Sequence, residues 1–308
     1  MNKYRLVTRS DFDGLVCAVL LTHLGLVREI KFVHPKDMQD GKIAITSNDI
    51  TTNLPYVPGV HLAFDHHLSE TVRNPGDKEK HIINPDAPSA ARVVHDYFSA
   101  TTKLPESWDD MMRAVDKGDS AQFSMEDILH PAGWDLLNFL MDARTGLGRF
   151  KEFRISNYNL MMDLIGYCKN HPIDAILKLP DVVERSALYF EHESEFKEQL
   201  KRCAKVHKNL VVLDLRRERT IYAGNRFMIY ALFPECNISI HVLWGVGQQN
   251  TVFATGKSIF DRGSKTHVGE LMLKWSGGGH DAAGTCQIDN DKAAEVLQEL
   301  ITQINADG

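Results

Sequence analysis

Tyr4-Arg5-Leu6-Val7-Thr8-Arg9-Ser10-Asp11-Phe12-Asp13-Gly14-Leu15-Val16-Cys17-Ala18-Val19-Leu20-Leu21-Thr22-His23-Leu24 is the stretch on which the fold turns. Residues 4–8 read as a short buried strand, an Asp-rich loop follows, and residues 15–24 read as a strongly apolar helix. Outward from it the pattern repeats, with strands at 30–34 and 42–46 and another at 60–64 that runs straight into Asp65. Strand, loop, helix and strand in succession predict a parallel sheet covered by helices. Such sheets bind ligands at the carboxyl ends of their strands. Asp11, Asp49 and Asp65 each come just after a predicted strand, which places three acidic loops on one edge of one sheet.

From Pro88 the pattern becomes helical, with Ala90, Val93, Val94, Tyr97 and Phe98 on one apolar stripe, and it stays helical to about residue 168. Residues 182–206 carry spaced apolar positions among charges and read as a long connecting helix. Strands are expected at 210–213, 227–233, 239–244, 251–254 and 286–288, with helices at 267–275 and 292–304. The expected fold is therefore α/β in two domains. A parallel-sheet N-terminal domain with a helical extension covers 1–181, a connecting helix 182–206, and a smaller mixed-sheet α/β domain 207–308.

A chain of 308 residues is comfortable for two domains and buries a sizeable core without staples. A net charge of −6 argues against bulk binding of duplex nucleic acid, which leaves a basic footprint, but leaves room for a local basic groove. Five scattered cysteines (Cys17, Cys168, Cys203, Cys236, Cys286) without a Cys-x-x-Cys pair indicate neither a zinc ribbon nor a disulfide framework, so reduced thiols in a cytosol are expected. The N-terminus runs directly into a strand with no signal-peptide pattern, and the longest apolar stretch is too short to span a bilayer. The expected location is cytoplasmic, with no membrane partner.

Hard carboxylate oxygens with one or two imidazoles are what Mn²⁺ or Mg²⁺ sites are made from. Asp11 and Asp13 flank one residue in a loop that enters a helix, so both carboxylates can face one site beside the positive end of that helix. Taken alone, Asp-x-Asp-Gly is more often a helix cap with a solvent-facing neighbour. Asp65-His66-His67 emerges at a strand end, where a carboxylate can fix the tautomer of an adjacent imidazole. Asp49 alone suits a turn, and Asp116 and Asp119 suit helix caps. Their joint order and strand-end placement make the bland reading of all four clusters a poor one.

Thr8-Arg9-Ser10-Asp11-Phe12-Asp13-Gly14, Asn48-Asp49, Asp65-His66-His67, Ala114-Val115-Asp116-Lys117-Gly118-Asp119 and Gly277-Gly278-Gly279-His280 resemble, in order and in spread, the successive motifs of the DHH phosphoesterase superfamily. The C-terminal part resembles the DHH-associated domain. The resemblance implies a two-metal Mn²⁺ centre, with Mg²⁺ or Co²⁺ as substitutes. In it Asp11 would bind the first ion, Asp13, His66 and Asp116 the second, and Asp49 would bridge them and hold the attacking water. Asp65 would support His66, and His67 would face substrate or stand behind the metal ligands. One departure concerns the first ion. A branch of the family has a His four residues before the first Asp, and here that position is Val7, with Arg9 nearby either to clamp a phosphate or to pair with a carboxylate.

Three consecutive glycines let backbone N–H groups approach an anion closely, and His280 can donate to a phosphate oxygen. A helix C-cap accounts for one glycine, not three. Lys257-Ser258 resembles the basic-polar pair that assists phosphate binding in the associated domain, and Arg262 is a second candidate. The expected reaction is hydrolysis of a short phosphate-containing substrate such as a short single-stranded oligonucleotide, a linear dinucleotide or a nucleoside bisphosphate. A site split between two domains suits a short substrate. Inorganic polyphosphate is an alternative substrate, and a regulatory nucleotide binder with an impaired metal centre is a non-enzymatic one. Dimerisation through the helical part of the N-terminal domain is open.

Overall fold

A computed structural model describes residues 3–73, 79–150 and 152–308. Two compact units emerge, one formed by Met1–Gln122 with Pro131–Ala187 and the other by Phe123–His130 with Leu188–Gly308. The first is built on β1 (Tyr4–Arg9), β2 (Val27–Val33), β3 (Asp49–Thr52), β4 (Leu62–Asp65) and β5 (His81–Ile83). Their order is β2-β1-β3-β4-β5, and every pairing is parallel. Residues Leu15 to Leu21 are fully buried, which is why this helix, Phe12–His23, reads as apolar all round rather than as a stripe. Its neighbours include the helices Ala90–Ser99, Asp109–Asp119 and Asn157–Asn170.

Residues 42–46 do not form the expected strand; the strand begins at Asp49. Asp49 Oδ2 instead accepts hydrogen bonds from Thr46 N (2.6 Å) and Thr46 Oγ1 (3.1 Å), closing a turn just before β3. Hydropathy hid β3 because two of its four residues are threonines. Both are at most 1% exposed, and Thr52 Oγ1 donates to Thr8 Oγ1 at 2.6 Å across the sheet. The consequence for the site is large: Asp49 stands at the amino end of β3, paired in register with Arg5, while Thr52 and Asn53 reach the carboxyl edge.

The second unit carries β6 (Ala204–His207), β7 (Leu210–Asp214), β8 (Ile238–Trp244), β9 (Thr251–Lys257), β10 (Gly278–Gly279) and β11 (Ala283–Ile288) in the order β10-β11-β9-β8-β7-β6. Only β7 and β8 run parallel, so the sheet is mixed as expected. Leu210, Ile238, Ile240, Val242 and Phe253 share a core with Val268 and Met272 of helix Val268–Leu273 and with Val296 and Leu300 of helix Ala293–Asp307. Residues 227–233, expected as a strand, contain the helix Met228–Leu232. A short apolar run does not distinguish a strand from a buried helix, and Asn225 decides it by accepting the Phe227 amide on Oδ1 (2.9 Å) and the Met228 amide on its carbonyl (3.0 Å). The expected connecting helix over 182–206 is two helices, Pro180–Glu191 and Glu193–Cys203, followed directly by β6. Among the described residues no helix is long and apolar enough to cross a membrane.

Candidate metal centre and anion-binding corner

Asp13, His66 and Asp119 each offer a ligand atom, and these atoms lie within 4.8 Å of one another. Each arrives by a different route. Asp13 sits in the first turn of helix Phe12–His23, which Asp11 caps by accepting the Gly14 amide at 3.0 Å. Gly14 is required there, because a Cβ would stand 1.9 Å from the Arg9 carbonyl oxygen at the end of β1. Asp13, 2% exposed, accepts the amides of Ala90 (3.0 Å) and Ala91 (2.7 Å) at the start of helix Ala90–Ser99. His66 follows β4, and its Nδ1 lies 3.2 Å from the Ala87 carbonyl, which makes Nδ1 the donor and turns Nε2 toward Asp119. Nε2 lies 2.9 Å from Asp119 Oδ2, yet it makes no aligned hydrogen bond. Asp119 is the last residue of helix Asp109–Asp119.

The charges are frustrated without a cation. Burial, then repulsion from Asp119, push the Asp13 carboxyl well above its usual range. Burial opposes the charged form of His66, but contact with Asp119, aided by Asp13 and Asp65, raises it to about 9. Desolvation works against the Asp119 carboxylate as well, and the His66 contact nonetheless holds its carboxyl below its usual value. A divalent cation relieves the crowded carboxylates and suits this oxygen-rich donor set, so the residues present fit one ion.

Several expected site residues are placed elsewhere. Asp49 bonds Arg5 Nε (2.7 Å) and Nη2 (2.9 Å) at the opposite end of the sheet and does not join the cluster. Asp116 accepts Ser89 Oγ (2.7 Å) and Arg92 Nε (2.9 Å), which ties it to the start of helix Ala90–Ser99 while Asp119 faces His66. Asp65 supports His67 rather than the His66 ring: its Oδ1 lies 2.7 Å from His67 Nδ1 and also accepts the His66 amide at 2.8 Å. Asp11 lies beside the cluster with both oxygens engaged, Oδ2 by Arg9 Nε at 2.8 Å and Oδ1 by Gly14 N and by Asn53 Nδ2 at 3.3 Å. The sequence alone did not single out Asp119 for the cluster, Asn53 at the carboxyl end of β3, or Arg144, whose charge acts on both Asp11 and Asp119. For Asp119 the signal was present, three residues after Asp116, but which of the two turns inward is a matter of packing.

In the second unit the glycine run is an edge strand. Gly278 and Gly279 pair with Thr285 and Gly284 of β11. The Gly277 amide donates to Met272 O (2.9 Å) and the His280 amide to Ala283 O (2.7 Å), so these two amides serve the fold. A Cβ on Gly277 would meet Thr285 O at 2.2 Å, and one on Gly279 would meet Ala283 O at 2.3 Å, whereas a Cβ on Gly278 meets nothing within 4 Å. Close strand packing therefore accounts for two glycines and leaves Gly278 unexplained by it. Lys257 Nζ lies 2.8 Å from Asp281 Oδ2, beside His280, and Arg262 Nε donates to Ile259 O at 3.4 Å nearby in sequence. Ser258 is buried, and its Oγ accepts the amides of Phe260 and Asp261 (both 3.2 Å), so it shapes the loop.

The chain is 64% identical to a pGpG-specific phosphodiesterase, PggH from Vibrio cholerae, over 99% of this chain and all of that one, with a TM-score of 0.86. An exopolyphosphatase-related protein from Bacteroides fragilis shares the fold at 14% identity, covering 98% of this chain and 92% of that one, with a TM-score of 0.56. CDC45 from Entamoeba histolytica does so at 8% identity, covering 98% and 95%, with a TM-score of 0.51. No protein-family model matches the chain, and a comparison with curated proteins finds no match.

Proposed function

The chain belongs to the DHH phosphoesterase superfamily and is a hydrolase of short phosphate-containing substrates, and on that premise we propose that it cleaves the linear dinucleotide pGpG at a divalent-metal centre formed by Asp13, His66 and Asp119. The observation that carries the reading is 64% identity along essentially the whole length to a pGpG-specific phosphodiesterase, joined to a ligand cluster at the carboxyl edge of a parallel sheet. Mn²⁺ is the proposed ion. A divalent ion there supplies Lewis acidity to a phosphoryl oxygen and lowers the pKa of water toward neutrality. The chain's own groups do the rest. Asp13 is held rigidly by two backbone amides and His66 by one carbonyl, so ligand geometry is set before substrate arrives. Asp65 orients the His67 ring, whose side chain is 27% exposed, to hand a proton to the leaving 3′ oxygen as the P–O bond breaks. Arg9 and Arg144 supply positive charge for the phosphate. In the second unit Lys257, Arg262, Gly278 and His280 are the proposed nucleotide contacts.

The test is turnover of pGpG with Mn²⁺, measured beside a five-nucleotide RNA, 3′-phosphoadenosine phosphate, cyclic dinucleotides and polyphosphate. Release of GMP from pGpG, lost on chelation and in Asp119→Asn, is the expected result. Preferential release of orthophosphate from polyphosphate would replace the dinucleotide reading with the polyphosphate one.

A further inference from the structure

The two-ion arrangement implied by the superfamily needs further donors around the ion that Asp11 would hold, and this chain does not place them there. We infer that the centre takes a single divalent ion, and that the Arg9 guanidinium, fixed on Asp11 beside Asn53, stands where a second cation would otherwise be held. This inference rests on the metal-centre reading above.

Four independent placements carry it. Asp11, two residues before Asp13, is a helix cap, an arginine partner and an amide acceptor at once, through Gly14, Arg9 and Asn53. The carboxyl end of β3 delivers Asn53, a neutral amide 1% exposed, and a neutral amide cannot offset the charge of two adjacent dications. The acidic residue of that strand, Asp49, is at the far end and neutralised by Arg5. Val7 is fully buried in an apolar cluster with Val33, Met38 and Leu54, so no donor comes from that position of β1.

Electrostatics points the same way. Arg9 and Arg144 both act on the Asp11 carboxylate, and both also act on Asp119. Two fixed monocations beside one bound dication repel a second. They keep the ability to stabilise charge developing on a phosphoryl group, which a second ion otherwise supplies. A guanidinium does so without needing a ligand shell, and its planar donors match phosphate oxygens in pairs.

The experiment is Mn²⁺ stoichiometry on the intact, chelator-stripped protein by equilibrium dialysis, with electron paramagnetic resonance to separate isolated from paired ions. One tightly held ion per chain, without an exchange-coupled spectrum, is the expected result. Asn also caps helices well, so Asp11→Asn should fold and bind one ion at most about tenfold more weakly, whereas Asp13→Asn should weaken binding by more than about 100-fold. Two ions per chain with an exchange-coupled spectrum would overturn the single-ion inference while leaving the metal centre intact. Loss of the tight ion in Asp11→Asn would overturn the part given to Arg9, since Asp11 would then be a ligand of the ion rather than the partner that fixes the guanidinium. No Mn²⁺ binding at all would instead remove the metal-centre reading on which it rests.

Discussion

Asp116 and Asp119 are three residues apart on one helix and do different work. Asp116 joins Ser89 and Arg92 and stitches two helices together, while Asp119 points its carboxylate at His66. Asp119→Asn should abolish turnover and weaken Mn²⁺ binding by more than about 100-fold, because a ligand is lost. Asp116→Asn should retain the ion and lose about 1–2 kcal/mol of stability, the scale of a disturbed charged hydrogen bond. Calorimetric Mn²⁺ titration and thermal melts of the two variants check both outcomes. His241 in β8 gives a prediction in pH. Burial, with Arg226 adding to it, lowers its imidazole from 6.5 to about 4. The unfolded chain therefore binds the extra proton first, so stability is full above pH 6.5 and falls as pH drops toward 4. Denaturant unfolding of the wild type and of His241→Gln across that range checks it; the variant should show the shallower decline.

At the scale of elements, β3 and the glycine strand β10 set where the candidate residues stand. Asp49 is 2% exposed and bonded by Arg5 at the amino end of β3. Asp49→Ala should lower stability by about 2–3 kcal/mol by stranding Arg5 and the Thr46 turn, with little change in kcat at temperatures where the variant is folded. A collapse of kcat with the fold intact would return Asp49 to the chemistry. For β10, Gly277→Ala forces a Cβ to within 2.2 Å of the Thr285 carbonyl and should destabilise the second unit by about 2 kcal/mol or more. Gly278→Ala meets no atom within 4 Å, so its melting temperature should stay near that of the wild type. A raised KM for pGpG in that variant marks a substrate contact, and an unchanged KM removes Gly278 from the proposed set.

On the scale of the whole molecule, chain order and unit membership part company. Residues Phe123–His130 lie within the N-terminal half of the sequence and belong to the second unit. There Phe123, 5% exposed, stands 6.0 Å from the Phe227 ring, and the helix Met125–Leu129 packs near Met228–Leu232. Phe123→Ala should therefore lower the stability of the second unit by about 3 kcal/mol, read by hydrogen exchange of its core strands β7 and β8. Sequence alone determined the α/β class, the parallel sheet behind the Asp-rich loop, the mixed C-terminal sheet and the superfamily, because these rest on local periodicity and on ordered motifs. It also singled out Asp13 and His66, which lie at the ends of strongly apolar elements whose boundaries are short-range. Tertiary structure decided that β3 starts at Asp49, that Asp119 rather than Asp116 meets His66, that Asp65 serves His67, and that residues 123–130 join the second unit. Each of those outcomes depends on pairing between residues far apart in the chain. A shift of a few residues in where β3 begins moves a carboxylate from one edge of the sheet to the other, and hydropathy does not register a strand made half of buried threonines.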